Sequence, residues 1–192
     1  LEPGMNIVQV ARMLKLGLQT PVRVTINNVR TPAQLAGKLA RQIEADSATI
    51  VGALTDPATA RKAGFDSVTL FSMFIPDTYE FYWTVSPAQF IERMRREYDR
   101  FWTPQRDAKR QRSGLSRLEV MTLASIVYEE TRQSDEMPRI AGVYINRLRK
   151  GWPLQADPTV KYALQEFGLR RILHRHLKYP SPYNLSLIHI SE

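Results

Sequence analysis

The chain has 192 residues, 27 Lys plus Arg against 19 Asp plus Glu, and no cysteine. This length can enclose one ordinary hydrophobic core or two small ones, and the lack of cysteine excludes a disulfide framework, a thiol nucleophile and a cysteine-ligated metal centre. Three histidines give little basis for a metal site, so we expect neither a metal nor a cofactor. The net charge of +8 favours an anionic partner, and it is equally typical of solvated basic helices.

The first 66 residues predict a small α/β module. Residues 5–16 carry apolar side chains near helical spacing, and residues 22–26 alternate apolar and polar side chains as a strand does. Residues 31–34 (Thr-Pro-Ala-Gln) predict a capped helix start. Further helices are predicted to begin near Ser47 and at Asp56.

Residues 67–115 predict linking strands and a long helix. The segment 68–83 is rich in Phe, Tyr and β-branched residues around a proline, which indicates strands joined by a turn. Ser86 precedes a long amphipathic helix whose basic continuation ends before Ser113.

The part that follows, to residue 184, is predicted to be mainly helical. A Ser-x-x-Glu capping box at residues 116–119 begins a helix that is apolar almost all round and ends near Glu130. A second helix is predicted over 134–150 with Gly151 just beyond its end, and Asp157 is predicted to cap a third. The fold class is therefore α+β, a small α/β subdomain followed by a mainly helical domain.

Glu130 is the first candidate for chemistry. It ends a mostly apolar helix, where the last backbone carbonyls carry partial negative charge. Burial and this dipole would both favour the protonated acid, which is the form a general acid needs. The ordinary alternative is that Glu129 and Glu130 form a solvated helix end.

Three other polar groups are candidates for binding a substrate. Asn146 with Arg147 could contact sugar hydroxyls or a carboxylate, or could simply cap the helix and form an ion pair. Residues 154–159 (Leu-Gln-Ala-Asp-Pro-Thr) are dense in hydrogen-bonding groups, although Asp157 could serve only as an N-cap. Residues 181–184 place an aromatic ring and an amide in a proline turn.

These segments follow one another at short spacing: residues 124–131 (Ala-Ser-Ile-Val-Tyr-Glu-Glu-Thr), 141–148 (Ala-Gly-Val-Tyr-Ile-Asn-Arg-Leu), 154–160 (Leu-Gln-Ala-Asp-Pro-Thr-Val) and 181–184 (Ser-Pro-Tyr-Asn). Together they strongly resemble the endolytic murein transglycosylases of the MltG (YceG-like) family. Residues 74–79 look like the segment ahead of that family's catalytic part, and residues 22 to about 55 are similar to its small LysM-like subdomain. The resemblance spans about residues 5–184.

The resemblance implies an enzyme that cleaves the β-1,4 bond between N-acetylmuramic acid and N-acetylglucosamine inside nascent glycan strands. The position matching the family's one catalytic glutamate is Glu130. Most glycosidases need two carboxylates, whereas a lytic transglycosylase uses the substrate's own C6 hydroxyl as nucleophile and leaves a 1,6-anhydro end.

The resemblance also implies a set of residues that surround the glycan and shape the environment of Glu130: Ser125, Asn146, Arg147, Gln155, Asp157, Thr159, Tyr183 and Asn184. The implied partners are peptidoglycan glycan strands and the cell-wall synthesis machinery. The implied location is the extracytoplasmic side of the cytoplasmic membrane, with a single N-terminal membrane-spanning helix as anchor.

Both ends depart from the family pattern. No stretch approaches the roughly 20 apolar residues of a spanning helix, and we expect the anchor to lie upstream. Residues 185–192 (Leu-Ser-Leu-Ile-His-Ile-Ser-Glu) match nothing expected, and we predict that they are non-native sequence after a truncated catalytic part. His189 is therefore not counted as a ligand, and this chain is expected to bind and cleave less well than its parent.

Three alternatives stay open at this point. The chain could be a peptidoglycan-binding module without catalysis, or a hydrolase of the two-carboxylate kind with Asp157 as the second acid. A nucleic-acid-binding role has only the positive charge in its favour, because no helix-turn-helix, zinc or base-stacking motif is present. No nucleic acid is therefore expected among the partners.

Overall fold

A computed structural model of the chain describes residues 4–17 and 19–185, apart from the side chain of Leu14. The elements in chain order are α1 (Ile7–Lys15), β1 (Val22–Ile26), α2 (Pro32–Leu39), α3 (Ser47–Thr55), α4 (Pro57–Lys62), a 3-10 helix (Leu70–Met73), β2 (Asp77–Phe81), α5 (Pro87–Phe101), α6 (Pro104–Ser113), α7 (Arg117–Glu130), α8 (Met137–Arg149), α9 (Asp157–Leu164) and α10 (His174–Leu177). The chain divides into two compact units at Tyr98. In the part that the structure describes, no helix is long and apolar enough to cross a membrane.

The first unit contains a two-stranded antiparallel sheet. The predicted strand Val22–Ile26 pairs with Asp77–Phe81, so that Val24 lies opposite Tyr79. The alternating side chains of both strands point into the core, as the period-two pattern predicts. The segment 68–83 supplies only this one strand, because its first half forms the 3-10 helix Leu70–Met73.

Helix starts in the first unit follow the capping chemistry of the sequence. Thr31 accepts a hydrogen bond from the Gln34 backbone at 3.2 Å, ahead of Pro32 at the first helical position. Asp46 and Asp56 cap α3 and α4 in the same way. The LysM-like character of this module stays a prediction.

The core of the first unit combines both strands with α2, α3, the 3-10 helix and α5. Its largest fully buried side chains are Phe90, Leu35, Leu39, Ile50, Leu70, Met73, Met94 and Val24.

The long helix predicted after Ser86 is in fact two helices. Helix α5 ends at Phe101, and α6 begins anew at Pro104 with Thr103 as its N-cap. A Thr-Pro pair provides the same start signal as in α2, and it interrupts the otherwise continuous charged pattern. Gly114 ends α6 with a left-handed backbone (φ +79°), as expected for a C-cap.

The second unit is built on α7, α8 and α9. The predicted capping box of Ser116 and Glu119 is present at the start of α7. Helix α8 begins three residues later than predicted, at Met137, and Gly151 follows its C-cap with φ +63°. Gly151 donates to Leu148 and the next amide donates to Arg147, which is the Schellman arrangement.

Asp157 is not the cap of α9. It is the first helical residue, and the preceding cap residue, Ala156, has no side chain that could accept a hydrogen bond. Pro158 therefore occupies the second helical position, where its missing N–H costs nothing. The core between α7, α8 and the segment leading to α9 contains Leu123, Ile126, Val127, Tyr144, Leu154, Ala156 and Leu185.

Mixed helix and sheet agree with the predicted α+β class. The finer predicted boundaries at residues 66 and 115 stay predictions. Leu185, the first residue of the segment predicted to be non-native, is buried and donates its backbone N–H to Thr159. Residues 186–192, with His189, lie outside the described residues.

Candidate active site

Glu130 is the last residue of α7, and it lies on the side of the helix that meets the core. Leu123, Ile126 and Val127 are buried, and Glu130 continues their spacing of three and four residues by one further turn. The predicted burial of Glu130 is nevertheless wrong, because the side chain is exposed. The apolar stripe of α7 stops one turn earlier, so the carboxylate lies where the core opens to solvent.

One face of α8 forms the opposite wall of a cleft of about 200 Å³. Ile140, Val143, Tyr144 and Arg147 follow the spacing of one helical face, and Glu130 and Gln155 complete the lining. Three of the nine predicted site residues therefore share one cleft: Glu130, Arg147 and Gln155.

Tyr144 holds the carboxylate of Glu130. Its hydroxyl donates a hydrogen bond of 2.9 Å to Oε1 of Glu130, while its ring is buried in the core at 6% exposure. Burial, followed by the hydrogen bond to Glu130 and that residue's charge, raises the pKa of Tyr144 above its ordinary value. The phenol therefore stays protonated at physiological pH and available as a donor.

Arg147 and Gln155 are positioned through the segment between α8 and α9. A guanidinium N–H of Arg147 donates to the backbone carbonyl of Leu154, a residue with no exposed surface. Gln155 has a left-handed backbone (φ +53°), and its neighbours Leu154 and Ala156 are both fully buried. This conformation costs about 1–3 kcal/mol for a residue other than glycine, and such costs concentrate at functional sites.

Three predicted residues lie outside the cleft lining and are exposed. Ser125 donates its hydroxyl to the carbonyl of Thr122 within α7 at 2.7 Å. Asn146 lies on α8 beside the face that lines the cleft. Asp157, in the first turn of α9, is near enough for its negative charge to contribute, after burial and Glu130, to the raised pKa of Tyr144.

The remaining predicted residues lie on α9 or near residue 185, and each contacts other groups of the protein. Thr159 is buried and donates to the carbonyl of Ala156 at 2.7 Å. Asn184 is buried, and its amide donates to the carbonyls of Leu177 and Tyr179 at 2.9 and 2.8 Å. The ring of Tyr183 packs edge-on against Tyr162, with centroids 4.9 Å apart.

A comparison with protein families gives a match over nearly the whole chain. The model of the YceG-like family matches residues 1–189. The chain belongs to the YceG-like family.

Curated bacterial relatives that match parts of this chain carry the name endolytic murein transglycosylase. The protein from Bacillus subtilis is 43% identical over 65 residues, which are 34% of this chain and 18% of the relative. A protein from Streptococcus pneumoniae is 28% identical over 114 residues, which are 57% of this chain and 20% of the relative. The matched segments thus span about a fifth of each curated relative.

A solved structure, a YceG-like protein from Listeria monocytogenes, superposes with a TM-score of 0.72 at 27% identity. The superposition covers 96% of this chain and 66% of that one. The superposition therefore includes residues of both units, and it leaves about a third of the Listeria protein without a counterpart in this chain.

Tyr144 is the residue of this YceG-like site that sequence reasoning missed. Its ring lies in the core together with apolar side chains of α7 and α8. Tyrosine differs from the other core residues because a buried hydroxyl needs a partner. The spacing of Ile140, Tyr144 and Arg147 on one face was the available signal.

Proposed function

We propose that the chain carries the catalytic centre of a peptidoglycan lytic transglycosylase, with Glu130 as its acid and base. The observation that supports this most is the cleft in which Glu130 lies. There an exposed carboxylate is held by Tyr144, and the guanidinium of Arg147 and the amide of Gln155 lie in the same lining. The names of the two bacterial relatives supply the substrate class, and membership of the YceG-like family extends it to this chain.

The proposed reaction needs only one carboxyl group. Glu130 as the acid gives its proton to the β-1,4 glycosidic oxygen, and the bond between that oxygen and C1 of N-acetylmuramic acid breaks. The resulting carboxylate then takes the proton of the C6 hydroxyl on the same sugar, whose oxygen bonds to C1. The products are a free 4-hydroxyl on the leaving N-acetylglucosamine and a 1,6-anhydro end, without consumption of water.

Arg147 and Gln155 are the residues best placed to bind the glycan beside the scissile bond. One N–H of Arg147 donates to the backbone carbonyl of Leu154. Among the described residues, the other N–H groups of this guanidinium have no hydrogen-bond partner. The side chain of Gln155 is exposed and offers a donor and an acceptor. Sugar hydroxyls and N-acetyl groups are the matching partners.

The six other predicted residues stay proposals as substrate contacts, and the geometry favours different roles for them. Ser125, Asn146 and Asp157 are exposed around the cleft and could meet a longer glycan. Thr159, Tyr183 and Asn184 support the segment between α9 and residue 185. We also propose an extracytoplasmic location with a membrane anchor outside this chain, where the basic surface faces anionic stems and head groups.

The test is mass spectrometry of purified peptidoglycan after incubation with the chain and with two variants. Glu130→Gln removes the acid, and we expect the yield of 1,6-anhydro-ended fragments to fall at least about 100-fold. Glu129→Gln is the matched control. Glu129 is the neighbouring glutamate, lies outside the cleft lining and pairs with Arg132 at 3.5 Å.

Each outcome has a defined meaning. Anhydro ends that depend on Glu130 and not on Glu129 support the proposal. Reducing ends would make the enzyme a hydrolase and direct attention to Asp157 as a second carboxylate. Binding of glycan strands by the folded chain without any product would favour the non-catalytic binding module.

A further inference from the structure

We infer that Tyr144 is the positioning residue for Glu130, keeping its carboxyl group in one place while that group changes protonation state. This inference rests on the proposed function. It concerns a residue that lies within the segment 141–148 and is not among the nine predicted site residues.

The need for an anchor follows from the position of Glu130. The side chain is exposed and lies on the last residue of α7, where neither packing nor a following turn of helix restricts it. Among the described residues, the hydroxyl of Tyr144 is the one hydrogen-bond partner of this side chain. A general acid works only when its proton lies within hydrogen-bond reach of the leaving oxygen, so this one bond determines where the acid stands.

Tyr144 is itself rigidly held. Its ring packs in the core of the second unit with Leu123, Ile126 and Val127 of α7. The hydroxyl therefore has a fixed position relative to the helix that carries Glu130. A single hydrogen bond thus links the exposed carboxyl group at the end of α7 to a side chain that is fixed in the packed core.

The hydroxyl suits both protonation states of its partner. A phenol O–H can donate to an oxygen of the carboxylate and equally to the carbonyl oxygen of the carboxylic acid, whose own proton then lies on the other oxygen. The bond is thereby kept while the proton leaves for the glycosidic oxygen and another arrives from the C6 hydroxyl. Tyr144 neither gains nor loses a proton in this cycle, and its raised pKa is consistent with that role.

The geometry also divides the two oxygens of the carboxyl group. Tyr144 contacts Oε1, while Oε2 has no hydrogen-bond partner among the described residues. We assign Oε2 to the proton exchange with the glycan. Charged groups that act on this pair are Arg147 and Asp157, both of which influence Tyr144.

The first arm of the test is steady-state kinetics of Tyr144→Phe on soluble glycan strands. The ring and its packing remain, so we expect kcat to fall about 10- to 100-fold, because misplacing a catalytic group by ~1 Å costs on the order of 100-fold. KM should change less than about twofold, since Tyr144 is not proposed to bind the glycan.

Tyr79→Phe is the matched control for loss of a buried hydroxyl. Tyr79 is 7% exposed and donates one hydrogen bond of 2.7 Å, to the carbonyl of Ile75 in the first unit. Both variants should shift Tm by a similar few degrees, and only Tyr144→Phe should lose activity. Equal activity of the two variants, with both folded, would overturn the inference.

The second arm does not depend on activity. Tyrosine labelled with ¹³C at Cζ reports the ionisation of each phenol in an alkaline NMR titration. In Glu130→Gln the negative charge is gone, so the midpoint for Tyr144 should move down, while Glu129→Gln should leave it in place. An unmoved midpoint in Glu130→Gln would show that the two groups do not contact each other.

The two arms separate the inference from the proposed function. If Glu130→Gln keeps full anhydro-forming activity, the proposed function fails whatever Tyr144 does. If Glu130 is essential but Tyr144→Phe is as active as the control, only the positioning role fails. If the Tyr144 midpoint moves in Glu130→Gln but the chain forms no anhydro ends, the contact between the two residues is supported and the proposed reaction is not.

Discussion

Two groups of polar residues in the second unit differ in how they use their hydrogen-bonding groups. The cleft residues Glu130, Arg147 and Gln155 are exposed or half-buried, and each has polar atoms without a partner among the described residues. Thr159 and Asn184, which we call the clasp, are 8% and 5% exposed and bond to backbone groups inside the protein.

The segments that carry the family resemblance therefore contain two kinds of polar residue. The cleft residues leave hydrogen-bonding groups exposed, and one of them, Gln155, also has a left-handed backbone of the kind that concentrates at functional sites. The clasp residues use theirs to hold the segment after α9 against the core. Substitutions of cleft residues should therefore lower activity, and substitutions of clasp residues should lower stability.

Asn184→Ala should have the largest effect on stability. It removes the donors to Leu177 and Tyr179 and leaves two carbonyls to find new partners, which should lower the free energy of unfolding by about 1–3 kcal/mol. Urea titration measures this change directly. Asn146→Ala is the matched control, since its amide is exposed, and it should stay within about 0.5 kcal/mol. Equal losses of unfolding free energy in the two variants would contradict the proposed difference between clasp residues and exposed residues.

Much of the fold was predictable because its signals are local. Caps at Thr31 and Ser116, the alternation in β1 and the glycine after α8 all act within a few residues of where they stand. The break between α5 and α6 was equally local, at Thr103 and Pro104. It was missed because a run of charged residues continues across it, and charge periodicity carries no information about caps.

The site was predictable only in part, because tertiary contacts determine its geometry. Helical spacing from Leu123 distinguishes Glu130 from Glu129 without a structure. The bond from Tyr144 joins two helices, and the clasp joins Asn184 to a loop, so neither appears in a local pattern. No signal in the sequence indicated the left-handed backbone of Gln155, because glycine is the residue that usually marks this conformation.

Gln155→Gly should have a smaller effect on stability and the opposite sign. Glycine adopts φ +53° without strain, and its greater freedom in the unfolded chain offsets part of the gain, so unfolding should become harder by at most about 1 kcal/mol. Activity should fall, since the cleft loses an amide. Gln165→Gly is the control: φ is +57° at the end of α9, outside the cleft lining. It should leave activity unaltered and show a smaller gain in stability, because Gln165 also loses its side-chain hydrogen bond of 2.7 Å to the carbonyl of Tyr162. If both variants kept full activity, the side chain of Gln155 would not be a contact for the glycan.

Asp107→Asn should have the smallest effect on stability. It tests whether a charged side chain that is paired within the protein behaves like the clasp residues. Hydrogen bonds from Arg117 and then from Arg110 lower the pKa of Asp107 from 3.8 to about 2. A lowered folded pKa means that the paired carboxylate contributes stability above about pH 4 and loses it as the pH falls towards 2. Asp107→Asn should remove that contribution at neutral pH and flatten the fall of Tm between pH 4 and 2.

Asp135→Asn is the control for this titration, because Asp135 is exposed and none of the ion pairs described for the chain includes it. It should keep the slope of the unsubstituted chain. Peptidoglycan cleavage at neutral pH should be the same in both variants, because the carboxylate of Asp107 is paired with Arg110 and Arg117 within the protein. A loss of cleavage in Asp107→Asn without a change in Tm would mean that the region around α6 contacts the glycan, and the cleft would then extend beyond the residues that line it in the second unit.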